Sequence, residues 1–352
     1  MAEAKTHYGF LYSHHLELDR FQSHYPAYEF SIEQATWGAK RWEVAYAYPI
    51  IGISFWYSRL GGFEEIGSAY ALYPFINFPV FYNAKQSMNF RLGLGLSYLT
   101  NKFDRIGNYK NFAIGSHVNV AGSLYLEYRR KLNRILTISG GFGLTHFSNG
   151  ATKTPNYGMN ILTANLGISA FLKPPNPAFD KKLLPELYSF EFDGRKDLDI
   201  EISFSYASKD MSEQYGERFN VYAFYINLLK RVSYKSKLGG GIDIVYDQSD
   251  MFILQWTGNE VENGLQTVKP GLSVAYEMVI SKISFMFNFG VYLYAKEYGE
   301  GPLYQRLTLK YFFADPVFFN VVLNTNWGKA EYVGFGFGYK LNFIYKRKIS
   351  HN

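Results

Sequence analysis

Strict two-residue alternation of apolar and polar positions runs through most of this chain. Met88, Phe90, Leu92, Leu94, Leu96 and Tyr98 hold one parity, while Asn89, Arg91, Gly93, Gly95 and Ser97 hold the other. At 333–345, Val333, Phe335, Phe337, Tyr339, Leu341, Phe343 and Tyr345 alternate with Gly334, Gly336, Gly338, Lys340 and Asn342. A period of two is that of a strand whose two faces meet different surroundings; a helix would repeat at 3.6. The rhythm predicts a first strand or an edge segment over residues 6–18, then strands over Tyr28–Gly38, Arg41–Tyr57 (with a bulge at Pro49), Ile66–Tyr82, Met88–Leu99, Val118–Tyr128, a strand ending at Ser148, and Met159–Leu172. It resumes at Leu198–Ala207, Phe219–Leu229, Leu238–Tyr246, Val268–Met278, Ile283–Tyr294, Leu303–Phe313, Val317–Trp327 and Val333–Tyr345. Between the two sets, Lys173–Lys196 is rich in proline and cannot be a central strand.

The segments approach the length of a tilted membrane-spanning strand, and the polar parity carries Arg91, Glu127, Asp243, Lys269, Glu277, Arg306 and Lys310. The expectation is therefore an all-β protein, a transmembrane antiparallel β-barrel of about 14 strands, within a range of about 12–16. It would be one barrel over 1–352: a first half at 1–172, a Pro-rich connection at 173–197, and additional strands at 198–352. Its interior would be wide and wet. Trp37, Trp42, Trp256 and Trp327 fall near predicted strand ends, where aromatic girdles sit.

Composition sharpens this picture. Tyr and Phe number 31 each and aromatics make up 19% of the 352 residues, yet mean hydropathy is only −0.16, as alternating strands require. No run approaches the roughly 20 apolar residues of a spanning helix. Cysteine is absent, which excludes disulfides and thiolate metal sites. The net charge of +6 is spread out without a basic block, so no nucleic-acid partner is expected. Met1–Lys5 lacks the apolar core of a secretory leader, so export would imply a leader already removed. His14 and His15, adjacent in sequence, point to opposite faces in a strand and read as polar surface residues.

The candidate chemistry lies in Gly140–Asn160. Ile138, Phe142, Leu144, His146 and Ser148 share the apolar parity of one strand, and Asn160, Leu162, Ala164, Leu166 and Ile168 share that of the next. An imidazole, a hydroxyl and an amide thus stand on an oily face, where a lipid rather than a soluble substrate would meet them. Residues two apart on a strand have Cα atoms roughly 6–7 Å apart. His146 could then deprotonate Ser148 for attack on an ester, with Asn160 orienting the imidazole. Donors from Asn149 and the Gly150–Ala151 backbone could bind the oxyanion.

The stretch Thr145–Asn160, THFSNGATKTPNYGMN, resembles the PagL-type lipid A 3-O-deacylases, also described as acyloxyacyl-hydrolase-like outer-membrane proteins. YALYPFINFP (Tyr70–Pro79), NFRLGLGLSYLT (Asn89–Thr100) and IGSHVN (Ile114–Asn119) are similar to the longer Bacteroidota-type version. The resemblance covers roughly residues 35–172. It implies a cell-outer-membrane hydrolase acting on lipopolysaccharide without a metal or other cofactor, with His146 as base, Ser148 as nucleophile, Asn149 in the oxyanion hole, and Asn156 as a further motif asparagine. The family's acid falls at Asn160, an amide here, and Ala151 stands where the loop glycine is expected. Three readings follow: a lipid A deacylase; a catalytically impaired structural barrel that binds lipid or a protein partner in an outer-membrane assembly; and a pore.

Overall fold

The computed structural model describes residues 1–172, 196–211 and 217–345. Most of the Pro-rich connection expected at 173–197 lies outside them. The described residues form sixteen strands. The first eight are β1 (Ala2–Leu11), β2 (Ala27–Ala35), β3 (Ile50–Ser58), β4 (Ala69–Tyr82), β5 (Gln86–Leu99), β6 (Val118–Lys131), β7 (Leu136–Ser148) and β8 (Met159–Ala170). The second eight are β9 (Lys196–Asp210), β10 (Arg218–Arg231), β11 (Ser236–Asp247), β12 (Lys269–Ile280), β13 (Ile283–Tyr292), β14 (Leu303–Ala314), β15 (Val317–Asn326) and β16 (Lys329–Tyr345).

The all-β barrel expectation holds, but the strands do not close into one cylinder. They close into two, β1 to β8 and β9 to β16, each antiparallel throughout. The seam of the first pairs Ala2 with Ala170 and Leu11 with Ile161; that of the second pairs Phe335 with Tyr206 and Tyr345 with Lys196. Alternation reports which way each side chain faces. It carries no information on which strands meet at the seam, so one ring of sixteen and two rings of eight look alike in sequence.

Facing follows the predicted parity. In β5, Leu96 and Tyr98 are exposed while Arg91 and Ser97 are buried; in β16, Phe335, Phe337 and Tyr339 are exposed. A closed strand cylinder with an apolar outer band satisfies every backbone group internally, as a bilayer requires. No helix is long and apolar enough to cross a membrane among the described residues. Trp37, Trp256 and Trp327 are exposed beyond strand ends.

The polar face is not the wet lumen expected. An eight-stranded ring is just wide enough for its own side chains to fill it. In the first barrel Arg91 donates to Glu29 and lies 3.4 Å from Glu127. Lys5 pairs with Glu3 at 3.0 Å and also with Glu127. Arg129 grips Glu33 through two hydrogen bonds of 2.9 and 2.7 Å. These side chains are almost wholly buried. The second barrel repeats the device: Lys310 bridges Glu201 and Glu277, Lys237 lies 2.8 Å from both Asp199 and Glu277, and Arg306 pairs with Asp243 at 3.1 Å. One end of the first barrel is sealed instead by an apolar cluster that includes Phe21, Trp56, Leu99, Ile114, Phe147 and Met159.

Two further expectations change. The long strand over Arg41–Tyr57 is a short helix, α1 (Arg41–Ala45), followed by β3. Ala47 and Tyr48 both have φ of 58°, a left-handed turn before Pro49 that no strand can contain. The strand at 6–18 is β1 ending at Leu11, followed by a 3₁₀ turn over Leu16–Phe21.

Removing one partner of a buried ion cluster strands the others without water. Arg91→Leu is expected to destabilise the first barrel by about 3–5 kcal/mol, seen as a lower urea midpoint in detergent micelles. A midpoint within error of the wild type would show that Glu29 and Glu127 do not depend on Arg91.

Candidate active site on the outer wall of the first barrel

The inward residues of β7 and β8 determine where the outward ones stand. Phe147 is fully buried in the apolar plug, its ring 5.4 Å from Trp56. Thr145, also fully buried, shares a 2.6 Å hydrogen bond with the Tyr125 hydroxyl. With 145 and 147 held inside, His146 and Ser148 must face out, on the parity of the 65% exposed Phe142. On β8, Met159 and Ile161 are buried in the same plug, so Asn160 faces out with Leu166 and Ile168. His146 pairs directly opposite Asn160 across the β7–β8 ladder.

That pairing brings the side chains into contact. His146 Nδ1 donates to Asn160 Oδ1 at 2.7 Å. The amide oxygen can only accept, so the neutral imidazole keeps its proton on Nδ1 and leaves a lone pair on Nε2. Ser148 Oγ accepts from Asn156 Nδ2 at 2.8 Å. The loop that supplies Asn156 is tied together by asparagines. The Asn149 backbone N–H donates to Asn156 Oδ1 at 3.1 Å. The Asn149 amide nitrogen donates to Ser116 Oγ at 2.9 Å and to the Lys153 carbonyl at 2.8 Å.

The structure therefore gathers His146, Ser148, Asn160, Asn149 and Asn156 at one place. Asn156 Nδ2 reaches Ser148 Oγ, while the Asn149 amide ties the loop to Ser116 and Lys153. Gly150 and Ala151 turn the chain out of β7 with φ of 62° and 65°.

Two glycines shape the surroundings. Gly158 has φ of 75°, and a Cβ there would sit 3.2 Å from His146 Cε1 and 3.7 Å from Ser148 Cβ. Both side chains therefore pack against a bare backbone. Gly122 pairs with His146 from β6, and a Cβ there would meet nothing within 4 Å. The flank of His146 away from Asn160 is thus open on the outer wall.

One residue at the site was missed. His14 Nδ1 accepts from Asn160 Nδ2 at 3.2 Å. The adjacency argument does not hold, because β1 ends at Leu11 and the two rings stand 4.6 Å apart; His15 also stacks on Tyr157 at 4.2 Å. No local signal marks His14, because its place depends on β1 pairing with β8 across the seam. No cluster of His, Asp or Glu able to hold a metal occurs among the described residues.

Comparison with known proteins gives two family matches. Residues 27–169 match the family described as Lipid A 3-O-deacylase (PagL), and residues 198–343 match that described as Acyloxyacyl hydrolase, C-terminal domain. A search of curated proteins returns no match. Among solved structures, one engineered variant of Rhodopseudomonas blastica porin shares 8% identity, covering 97% of this chain and 99% of its own, with a TM-score of 0.19. Another has the same identity and coverage with a TM-score of 0.20. Scores this low carry no argument.

Gly158→Ala should disturb the site without opening the barrel. The strained φ and the 3.2 Å approach to His146 would push the imidazole aside, at a cost of about 1 kcal/mol or more in stability. The expected outcome is slower labelling of Ser148 by a fluorophosphonate probe with an unchanged strand signal in circular dichroism. Labelling at the wild-type rate would show that Gly158 is not needed for the approach.

Proposed function

This chain belongs to the PagL family of lipid A 3-O-deacylases, and from that premise we propose that Ser148, His146 and Asn160 hydrolyse an ester-linked acyl chain of lipid A on the outer wall of the first barrel. The observation that carries this reading is the 2.7 Å contact from His146 Nδ1 to Asn160 Oδ1 on the outward face that also bears Ser148. A substrate held in the outer membrane arrives from the bilayer, and this face is where it would meet the wall.

In the proposed reaction, His146 Nε2 removes the proton of Ser148 as Oγ attacks the ester carbonyl carbon. The carbonyl oxygen becomes an oxyanion. Asn156 Nδ2, already on Ser148 Oγ in the resting state, moves its hydrogen bond toward that oxygen, and backbone N–H groups after Gly150 assist. Collapse expels the lipid A alcohol, which takes the proton from His146 and leaves the acyl group on Ser148. Water then attacks by the same route, reversed in roles, and releases the fatty acid. Asn160 holds the imidazole in the required tautomer throughout. Asn149 keeps the loop in the shape that presents Asn156. No step calls for a metal.

A second reading rests on Asn160 itself. An amide orients the imidazole but cannot offset the charge it acquires, and an amide in place of the acid of a serine triad can cost on the order of 10⁴ in rate. The alternative is a barrel that retains the lipid-binding wall, works slowly or not at all, and holds lipid or a partner subunit.

One experiment separates the two. Lipid A is taken from cells expressing the wild type, Ser148→Ala or Asn160→Glu, and its mass spectrum is compared. Loss of one acyl chain with the wild type, abolished by Ser148→Ala and unaffected by a metal chelator, is the expected result. Intact lipid A with the wild type, and a lost chain only with Asn160→Glu, would establish the impaired barrel instead.

A further inference from the structure

Where the orienting group is an amide, its two ends differ. One end accepts and the other donates, and only the accepting end sets His146 in the tautomer that can act as a base. Nothing within His146 or Asn160 decides which end faces the ring. The far side of the amide decides it, and that side is occupied by His14, whose Nδ1 receives Asn160 Nδ2 at 3.2 Å.

His14 is held there by built contacts. Beyond the last β1–β8 pair, the Tyr12 backbone N–H donates to the Asn160 carbonyl at 2.7 Å, extending the seam. Ser13 Oγ donates to the His15 carbonyl at 2.8 Å. His15 then stacks on Tyr157, with planes 19° apart. The segment is thus anchored on both sides of His14, while the His14 side chain itself is exposed to solvent.

We propose that His14 is the positioning residue of this site: its neutral ring fixes the orientation of the Asn160 amide, and its protonation reverses that orientation and disables His146. The inference rests on the esterase reading above for its catalytic consequence, but not for its structural one. A protonated imidazole has two donors and no acceptor, so the Asn160 Nδ2 contact becomes donor against donor. Turning the amide over gives Oδ1 to His14 and Nδ2 to His146 Nδ1. His146 Nδ1 must then accept, which places its proton on Nε2, and that nitrogen can no longer take the proton of Ser148. A carboxylate at position 160 has no such polarity and would make His14 dispensable. The titratable groups facing His14 are His15 in its own segment, with ring centroids 4.6 Å apart, and His146 of β7 across the amide. Tyr157 of the loop lies beyond His15.

The test is a pH–rate profile for ester hydrolysis by the purified barrel in micelles, using a p-nitrophenyl ester. Protonating either imidazole disables the wild type, so its acidic limb should lie at higher pH than that of a variant in which only His146 titrates. His14→Gln keeps an acceptor that does not titrate; it should retain activity and hold it to lower pH. His14→Leu should lower kcat by about tenfold or more with little change in KM, and should cost nothing further when combined with Asn160→Glu. An acidic limb unmoved by His14→Gln, or an equal His14→Leu loss in both backgrounds, overturns the proposal. Nitrogen-15 shifts of labelled His146 report its tautomer directly. They should switch from Nδ1–H to Nε2–H as His14 is titrated in the wild type, and not in His14→Gln. This readout needs no turnover, so failure of the esterase reading and failure of the inference are told apart.

Discussion

The narrowness of an eight-stranded ring governs the rest of this structure. Its interior is narrow enough for its own side chains to fill, so inward charges are paired with other inward side chains. Arg91 with Glu29 and Glu127, and Arg129 with Glu33 and Glu3, meet that demand in the first barrel. Lys310 and Lys237 do so for Glu201, Glu277 and Asp199 in the second. Each such pair also fixes a register, because sliding a strand by one residue would move a buried charge to the apolar outside.

The site inherits its position from that constraint. Thr145 and Phe147 are inward residues whose partners lie in the lumen and the plug, and His146 and Ser148 are what remains on the other side of the same strand. An imidazole and a hydroxyl on a hydrocarbon-contacting wall look misplaced until their own partners are counted. His146 spends its proton on Asn160, and Ser148 receives one from Asn156. The polar groups of the outer wall are satisfied among themselves at the rim, much as the charges of the lumen are within.

How much of this was readable beforehand depends on the range of the interaction. Parity is local, and the facing of Phe142, His146 and Ser148 could be read directly from alternation. Pairing between strands consecutive in the chain is nearly as local, which made Asn160 legible as the partner of His146. Closure is not local. Nothing in Ala2 or Ala170 marks them as seam neighbours, and so one cylinder was expected where two exist. His14 was hidden for the same reason. Arg41–Tyr57 misled differently: Trp42, Val44, Tyr46 and Tyr48 alternate like a strand, but the backbone turns left-handed at Ala47 and Tyr48 and alternation alone could not show it. Asn149 and Asn156 were both visible as loop residues, yet the contact of Asn156 with Ser148 is set by how the loop folds back on Ser116 and Lys153.

Separate closure changes the order in which the chain can be assembled. The seam joining β1 to β8 is complete once residue 170 has been made, and no edge strand is left waiting for the remainder of the polypeptide. Entry into a bilayer can then proceed as two successive events, each ending in a ring whose strands are all paired within it.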